Sequence, residues 1–221
     1  MDDYLSEKEV WEWLKTWLRV NVPYIAAGVA AGVLLLGGWH WWQGRADQRA
    51  ASASAQYQQI LDAFGRHDSA RAVTLIDALA RDQPKSPYID QANLTAARAF
   101  VDAGQLDQAA LRLTTVMEQS ADHVLALVAR ERLARVQIAQ NAPDAALATL
   151  AAVDPGSFAA RYHEVRADAL EAKKDVPGAL KEYRAARDAD GSRIVDPESL
   201  DLKISDLVAD EHTPAAAAAT K

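Results

Sequence analysis

The sequence predicts an all-α chain in which a single N-terminal transmembrane helix precedes a solenoid of stacked helical pairs. Three observations predict it. An uncharged apolar run lies between Arg19 and Arg45, apolar residues recur at helical spacing beyond it, and a small-residue pattern returns along the rest of the chain. Composition agrees: 50% of the 221 residues are hydrophobic and 25% charged, which excludes both a disordered chain and a polytopic membrane protein. Aromatics make up only 7%, with 10 Gly and 8 Pro, against a turn-dense all-β fold. Cysteine is absent, so disulfides, thiolate nucleophiles and Cys-bound zinc are impossible. The net charge of -7 argues against nucleic acid as a partner, because binding to phosphates needs clustered Lys and Arg.

Residues 1–19 form the first element. Ser6 with Glu9 makes a capping box, and Val10, Leu14, Trp17 and Leu18 recur at helical spacing with Trp11 beside them. An interfacial helix lying on the membrane before the chain turns inward fits this pattern, and so does a docking helix for a membrane partner.

Residues 20–44 form the second. From Pro23 to Trp42 a helix spans roughly 30 Å, enough to cross the hydrocarbon once. Tyr24 marks one boundary, and Trp39, Trp41 and Trp42 the other, where amphipathic rings prefer the headgroup level. Pro23 is expected in the first turn, where its missing N–H costs nothing. Gly28 and Gly32 make a G-x-x-x-G pattern open to close helix contact, although a run this rich in Gly and Ala yields such spacing by chance. A cleaved signal peptide with a site at Ala51-Ser52-Ala53 is the rival reading. Five acids before the span, its excess length and the bulky tryptophans at its end oppose that reading. Lys8, Lys15 and Arg19 before the span against Arg45 and Arg49 after it lean weakly toward a cytoplasmic N-terminus.

Residues 45–207 are expected to form paired helices with almost no strand. Breaks at 65–68, 82–87, 104, 120–122, 141–143, 154–157, 174–177 and 190–196 separate apolar stripes such as Val73, Ile76, Leu79 and Leu94, Ala97, Val101. In four breaks a turn residue precedes an alanine by five positions: His67 and Ala72, Gly104 and Ala109, Asn141 and Ala146, Lys174 and Ala179. Twelve positions before the last three alanines stand Ala97, Ala134 and Ala167. Small residues facing each other let two helices pack closely, and the spacing is near the period of about 34 residues of tetratricopeptide repeats. Pairs of this kind stack into a solenoid with a concave face. Leu200, Leu202, Ile204 and Leu207 suggest a last, capping helix, and residues 208–221 read as a disordered Ala-rich tail.

Candidates for chemistry are few. His40, His67, His123, His163 and His212 are scattered, none with a second His at ligand spacing, so neither a metal nor another cofactor is expected. No Gly-rich phosphate loop or G-x-S-x-G elbow occurs, and the chain is expected not to be an enzyme. Glu131 and Arg135, four apart, read as an ordinary surface ion pair. The run Arg130, Glu131, Arg132, Arg135 reads as a solvated face, with a basic patch for an acidic partner as the sharper alternative. Of Tyr57, Phe64, Tyr88, Phe100, Phe158, Tyr162 and Tyr183, most are expected in the core and one or two in the groove.

Gly38-Trp39-His40-Trp41-Trp42, Ala53-Ser54-Ala55-Gln56-Tyr57, Leu133-Ala134-Arg135-Val136-Gln137 and Asp144-Ala145-Ala146-Leu147 occur in that order. Together with Glu164-Val165-Arg166-Ala167-Asp168-Ala169-Leu170, they resemble the YfgM-like ancillary subunits of the bacterial Sec translocon over residues 20–207. Ala167 stands where that family carries Gly. The resemblance implies an inner-membrane protein with a short cytoplasmic N-terminus and a periplasmic helical-repeat domain. It also implies non-enzymatic partnership with Sec translocon subunits and with a membrane-anchored periplasmic chaperone of the prolyl-isomerase type, helping newly translocated, still unfolded client chains. The alternative is a membrane-anchored scaffold for envelope assembly or cell division.

Overall fold

The computed structural model describes residues 7–189 and 195–212, and among them every regular element is helical. Contacts divide the chain into two compact units, residues 1–52 and 53–221. The first helix, α1 (Glu7–Gly65), contributes to both. It runs without a break through residues 19–23, so the expected turn into the membrane is absent and Pro23 lies inside the helix rather than in its first turn. Proline there cannot donate to the carbonyl four residues back. Nearby polar side chains bond within the helix: Thr16 donates to the Glu12 carbonyl (2.9 Å) and Asn21 to the Trp17 carbonyl (2.8 Å). The Ser6 capping position lies outside the described residues.

Among the described residues of the N-terminal unit, the large apolar side chains other than the half-buried Leu14 are exposed. Tyr24, Trp39, Trp41 and Trp42 are all exposed, and a Cβ added at Gly28 or Gly32 would meet no atom within 4 Å beyond its own stretch of helix. Among the described residues, α1 is the one helix long and apolar enough to cross a membrane, with mean hydropathy 1.8 in its most apolar window and none of that window buried. Trp39 and Trp42 lie 5.8 Å apart, and the Arg45 guanidinium stands 4.0 Å over the Trp41 ring. Aromatic rings beside a cation suit the wet edge of a bilayer.

The second unit begins with the last turns of α1 and continues through α2 (Ser69–Asp82), α3 (Tyr88–Asp102), α4 (Leu106–Gln119) and α5 (His123–Ala139). Then follow α6 (Pro143–Ala151), a short 3₁₀ turn (Gly156–Phe158), α7 (Ala159–Ala172), α8 (Val176–Asp188) and α9 (Pro197–His212). From α2 to α9 each helix packs mainly on a sequence neighbour, as in a solenoid. Asp68, Asp122 and Asp175 cap α2, α5 and α8 by accepting from the N–H of Arg71, Val124 and Gly178, and Pro143 starts α6, where no donor is needed.

The pairs α1/α2, α3/α4, α5/α6 and α7/α8 close through one repeated corner. His67, Gly104, Asn141 and Lys174 all adopt the left-handed conformation, with φ of 60°, 71°, 60° and 64°. After each, an N–H bonds back five residues: Asp68 to Ala63, Gln105 to Phe100, Ala142 to Gln137 and Asp175 to Leu170, all at 2.8 to 2.9 Å. This Schellman closure satisfies the last carbonyls of one helix and reverses the chain into the next. Ala72, Ala109, Ala146 and Ala179 are completely buried, as are Ala134 and Ala167, with Ala97 nearly so.

A second repeat lies in the polar side chains. Four residues before Ala97, Ala134 and Ala167, the side chains of Asn93, Arg130 and His163 reach partners three residues after the paired alanines. Arg112 donates to Asn93 Oδ1 (3.3 Å), Arg130 donates to the Thr149 carbonyl (3.1 Å), and His163 Nδ1 lies 2.7 Å from Glu182 Oε2. In the first pair the equivalent positions are Gln56 and Leu75. Leucine offers no partner, and Gln56 Oε1 is buried without one. Neighbouring pairs are tied separately: Gln140 donates to Asp107 (2.6 Å) and Lys173 to Asp144.

The helix α9 continues to His212, five residues past the expected end at 207, and Val208 packs on the cluster of Tyr183, Val195, Leu200 and Leu207. Leu202 faces solvent at 65% exposure, because Leu200 and Leu207, seven apart, already define the buried stripe. The Ala-rich residues 213–221 lie outside the described residues.

Two substitutions test these features. Ala146→Leu is expected to cost about 1–3 kcal/mol by overpacking the α5/α6 seam, read as a lowered urea midpoint of the full chain in detergent micelles. Gln56→Leu is expected to raise that midpoint, by about 1 kcal/mol, because it removes a buried acceptor with no donor.

Candidate binding groove

The first helices of the pairs, α3, α5 and α7, carry equivalent positions along one face. Three residues before the pairing alanine stand Leu94, Glu131 and Glu164; one residue after it stand Arg98, Arg135 and Asp168. The face therefore passes from apolar and basic to acidic.

Its acidic half is filled from within. Glu131, expected at the surface, is buried at 4% exposure and pairs with Arg135 on the same helix. Arg135 reaches across to Glu164 (3.1 Å) and Asp168 (3.9 Å) on α7. From α9, Lys203 reaches Asp168 (2.6 Å) and Glu164 (3.5 Å), with its ammonium 5.2 Å from the centre of the Tyr183 ring. The Tyr183 hydroxyl lies 2.6 Å from Asp168 Oδ1 and 2.8 Å from Glu171 Oε2. A buried carboxylate is tolerated only when paired, and here two cations from different helices serve three acids, Glu131, Glu164 and Asp168. Sequence spacing found the Glu131–Arg135 pair but not its burial, since α7 and α9 supply the other charges.

The protonation equilibria follow from these partners. Burial would lower the Arg135 pKa, but Glu131, Glu164 and Asp168 together raise it. Burial also pushes Tyr162 up to about 12, and its hydroxyl donates to the Leu127 carbonyl (3.0 Å). Burial raises Tyr183 further, with Asp168 and Glu171 opposing a phenolate beside them.

Between α3 and α5 the face opens. A groove of about 610 Å³ is floored by Leu94, Ala97, Val101, Leu106, Leu113 and Val136 and edged by Arg98, Arg132 and Arg135. Among the described residues no hydrogen bond or ion pair joins α3 to α5, whereas Arg135 and the Tyr162–Leu127 bond join α5 to α7. Val101, expected in an apolar stripe, is 41% exposed because it lies in this opening. Tyr57 stacks on Tyr88 (5.5 Å) and Phe64 meets Phe100 edge-on (6.3 Å), so these four rings pack as two pairs. The residues expected to anchor the chain, Tyr24, Gly28, Gly32, Trp39, Trp41 and Trp42, belong to the other unit, and the seven alanines expected to pack the repeats are buried. Among the described residues no group of three or more His, Asp or Glu is placed to hold a metal.

A family profile described as a tetratricopeptide repeat-like domain matches residues 15–209. A protein of Escherichia coli K12 named ancillary SecYEG translocon subunit is 33% identical over 209 residues, covering 94% of this chain and 99% of the relative. The chain belongs to this tetratricopeptide repeat-like family of ancillary translocon subunits. The Haemophilus influenzae protein of the same name is 28% identical, with 92% of this chain and 98% of the relative covered. Among solved structures, MamA from residue 41 onward of Desulfovibrio magneticus RS-1 matches 73% of this chain and 97% of its own at 16% identity, with a TM-score of 0.49.

The tyrosines set an alkaline limit on the fold. Unfolded tyrosine ionises near about 10, while Tyr162 and Tyr183 keep their protons in the folded chain. The unfolded state loses protons first, so stability falls as pH rises past that value. The urea midpoint is expected to drop steadily through the alkaline range, and Tyr162→Phe to flatten the drop; an equally steep drop in the variant would contradict the assignment.

Proposed function

We propose that the chain is a membrane-tethered helical-repeat adaptor of the Sec translocon, with residues 20–44 of α1 in the inner membrane, residues 1–19 in the cytoplasm and the repeats in the periplasm. The observation that carries this reading is the match to the Escherichia coli translocon subunit, which spans the apolar helix as well as the repeats. Residues 20–44 act as the anchor, with Tyr24, Trp39, Trp41 and Trp42 at the lipid boundaries. The seven repeat alanines hold the helical pairs together. Sec subunits and a membrane-anchored prolyl-isomerase-type chaperone are its partners, and newly translocated chains are its clients.

The physical logic is local concentration. A binding surface held at the membrane meets a channel in the same membrane as if at much higher concentration, without any additional contact. The helical repeats supply protein-binding surface, and the work assigned to them is binding rather than chemistry.

Affinity purification of the full chain from gently solubilised membranes is expected to recover Sec channel subunits; recovery of only division or cell-wall proteins would replace the adaptor reading with the scaffold. For topology, external protease is expected to digest the region after Arg45 in spheroplasts but not in intact cells. Protection in spheroplasts would place the repeats in the cytoplasm and contradict the proposal.

A further inference from the structure

The α3–α5 groove has a chemistry unlike the rest of its chain. The protein carries a net charge of -7, yet the residues lining this groove include three arginines and no carboxylate. Arg135 is already engaged by Glu131 and Glu164. Arg98 has only Asp102, at 3.8 Å, with side chains 84% and 69% exposed, a pairing that water screens almost completely. Arg132 is exposed and makes no ion pair among the described residues. Two guanidinium groups thus stand beside an apolar floor with their charge uncompensated. At the neighbouring α5–α7 step the corresponding position holds Asp168 instead of arginine, and Arg135 and Lys203 fill the space.

We propose that the α3–α5 groove receives a segment of a partner protein that carries apolar side chains flanked by Asp or Glu. Its apolar side chains rest on Leu94, Val101 and Leu106, and its carboxylates meet Arg98 and Arg132. This rests on the adaptor reading above and names the chemistry of what the adaptor holds. Guanidinium recognises carboxylate through paired hydrogen bonds, and beside a low-dielectric floor that contact is stronger than in open water. A segment bearing Lys or Arg would meet like charge, so the groove also discriminates against basic sequences.

The test uses the full chain in phosphatidylcholine nanodiscs and two short fluorescein-labelled peptides, one with Leu and Glu at helical spacing and one with Lys replacing each Glu. The Glu peptide is expected to bind, more weakly as salt rises, and the Lys peptide to bind at least about tenfold less tightly. Arg98→Glu with Arg132→Glu is expected to weaken the Glu peptide about tenfold or more and to improve the Lys peptide, a reversal that misfolding could not produce. Arg98→Lys with Arg132→Lys is expected to retain most of the binding. Equal binding of both peptides, or binding unchanged by charge reversal, would overturn the proposal. So would occupation of the groove by phosphatidylglycerol vesicles in place of the peptide, or by a second copy of the chain, seen as self-association that the charge reversal abolishes. Recovery of Sec subunits with the unaltered chain is scored separately, so a failed adaptor reading and a failed groove give different results.

Discussion

A left-handed backbone corner used four times organises the repeat domain. At His67, Gly104, Asn141 and Lys174 the chain takes a positive φ, bonds back five residues and starts the next helix at once. Only one of the four is glycine, so three corners carry a conformational cost of about 1 kcal/mol or more that the surrounding packing must offset. The seven alanines set at fixed distances from these corners are wholly or almost wholly buried, within the core that surrounds them. With each pair closed by its corner, the remaining apolar surface can be covered only by the next pair, and a stack results.

The polar contacts decide where that stack is tight and where it is open. Intrapair ties at Asn93–Arg112, Arg130–Thr149 and His163–Glu182 lock the two helices of a pair. Ties between pairs are unevenly distributed: α5, α7 and α9 are joined by the Glu131, Arg135, Glu164, Asp168 and Lys203 cluster, whereas α3 and α5 have no such bridge among the described residues. The same arginine therefore closes one step of this face and edges the open one. What remains at the opening is an apolar floor edged by Arg132, which makes no ion pair among the described residues, and by Arg98, whose pair with Asp102 is exposed, and this gives the groove its preference in charge.

Much of the architecture was legible in the residues themselves. The uncharged run between Arg19 and Arg45 stands out because hydrocarbon tolerates no charge, and the corners show as turn residues five places before an alanine. Two readings failed for a common reason. Glu131 and Arg135 four apart look like a surface pair, and Val101 looks like part of an apolar stripe, because spacing along one helix does not say which other helix covers it. The polar ties at a spacing of 19 residues were missed because Asn, Arg, His and Gln share no residue class. Only their common distance from the alanines reveals them.

The sequence by itself determined that the chain is helical, that one helix is apolar enough for a bilayer, and that the helices come in pairs, since these properties follow from local hydrophobic periodicity and turn chemistry. Tertiary structure alone decided which side chains meet across pairs. Arg135 can serve Glu164, and Lys203 can reach Asp168 from 35 residues away, only once the stack has brought α5, α7 and α9 side by side. The groove is likewise a property of the gap between two helices. A gap depends on the distances between elements, and no single element encodes it.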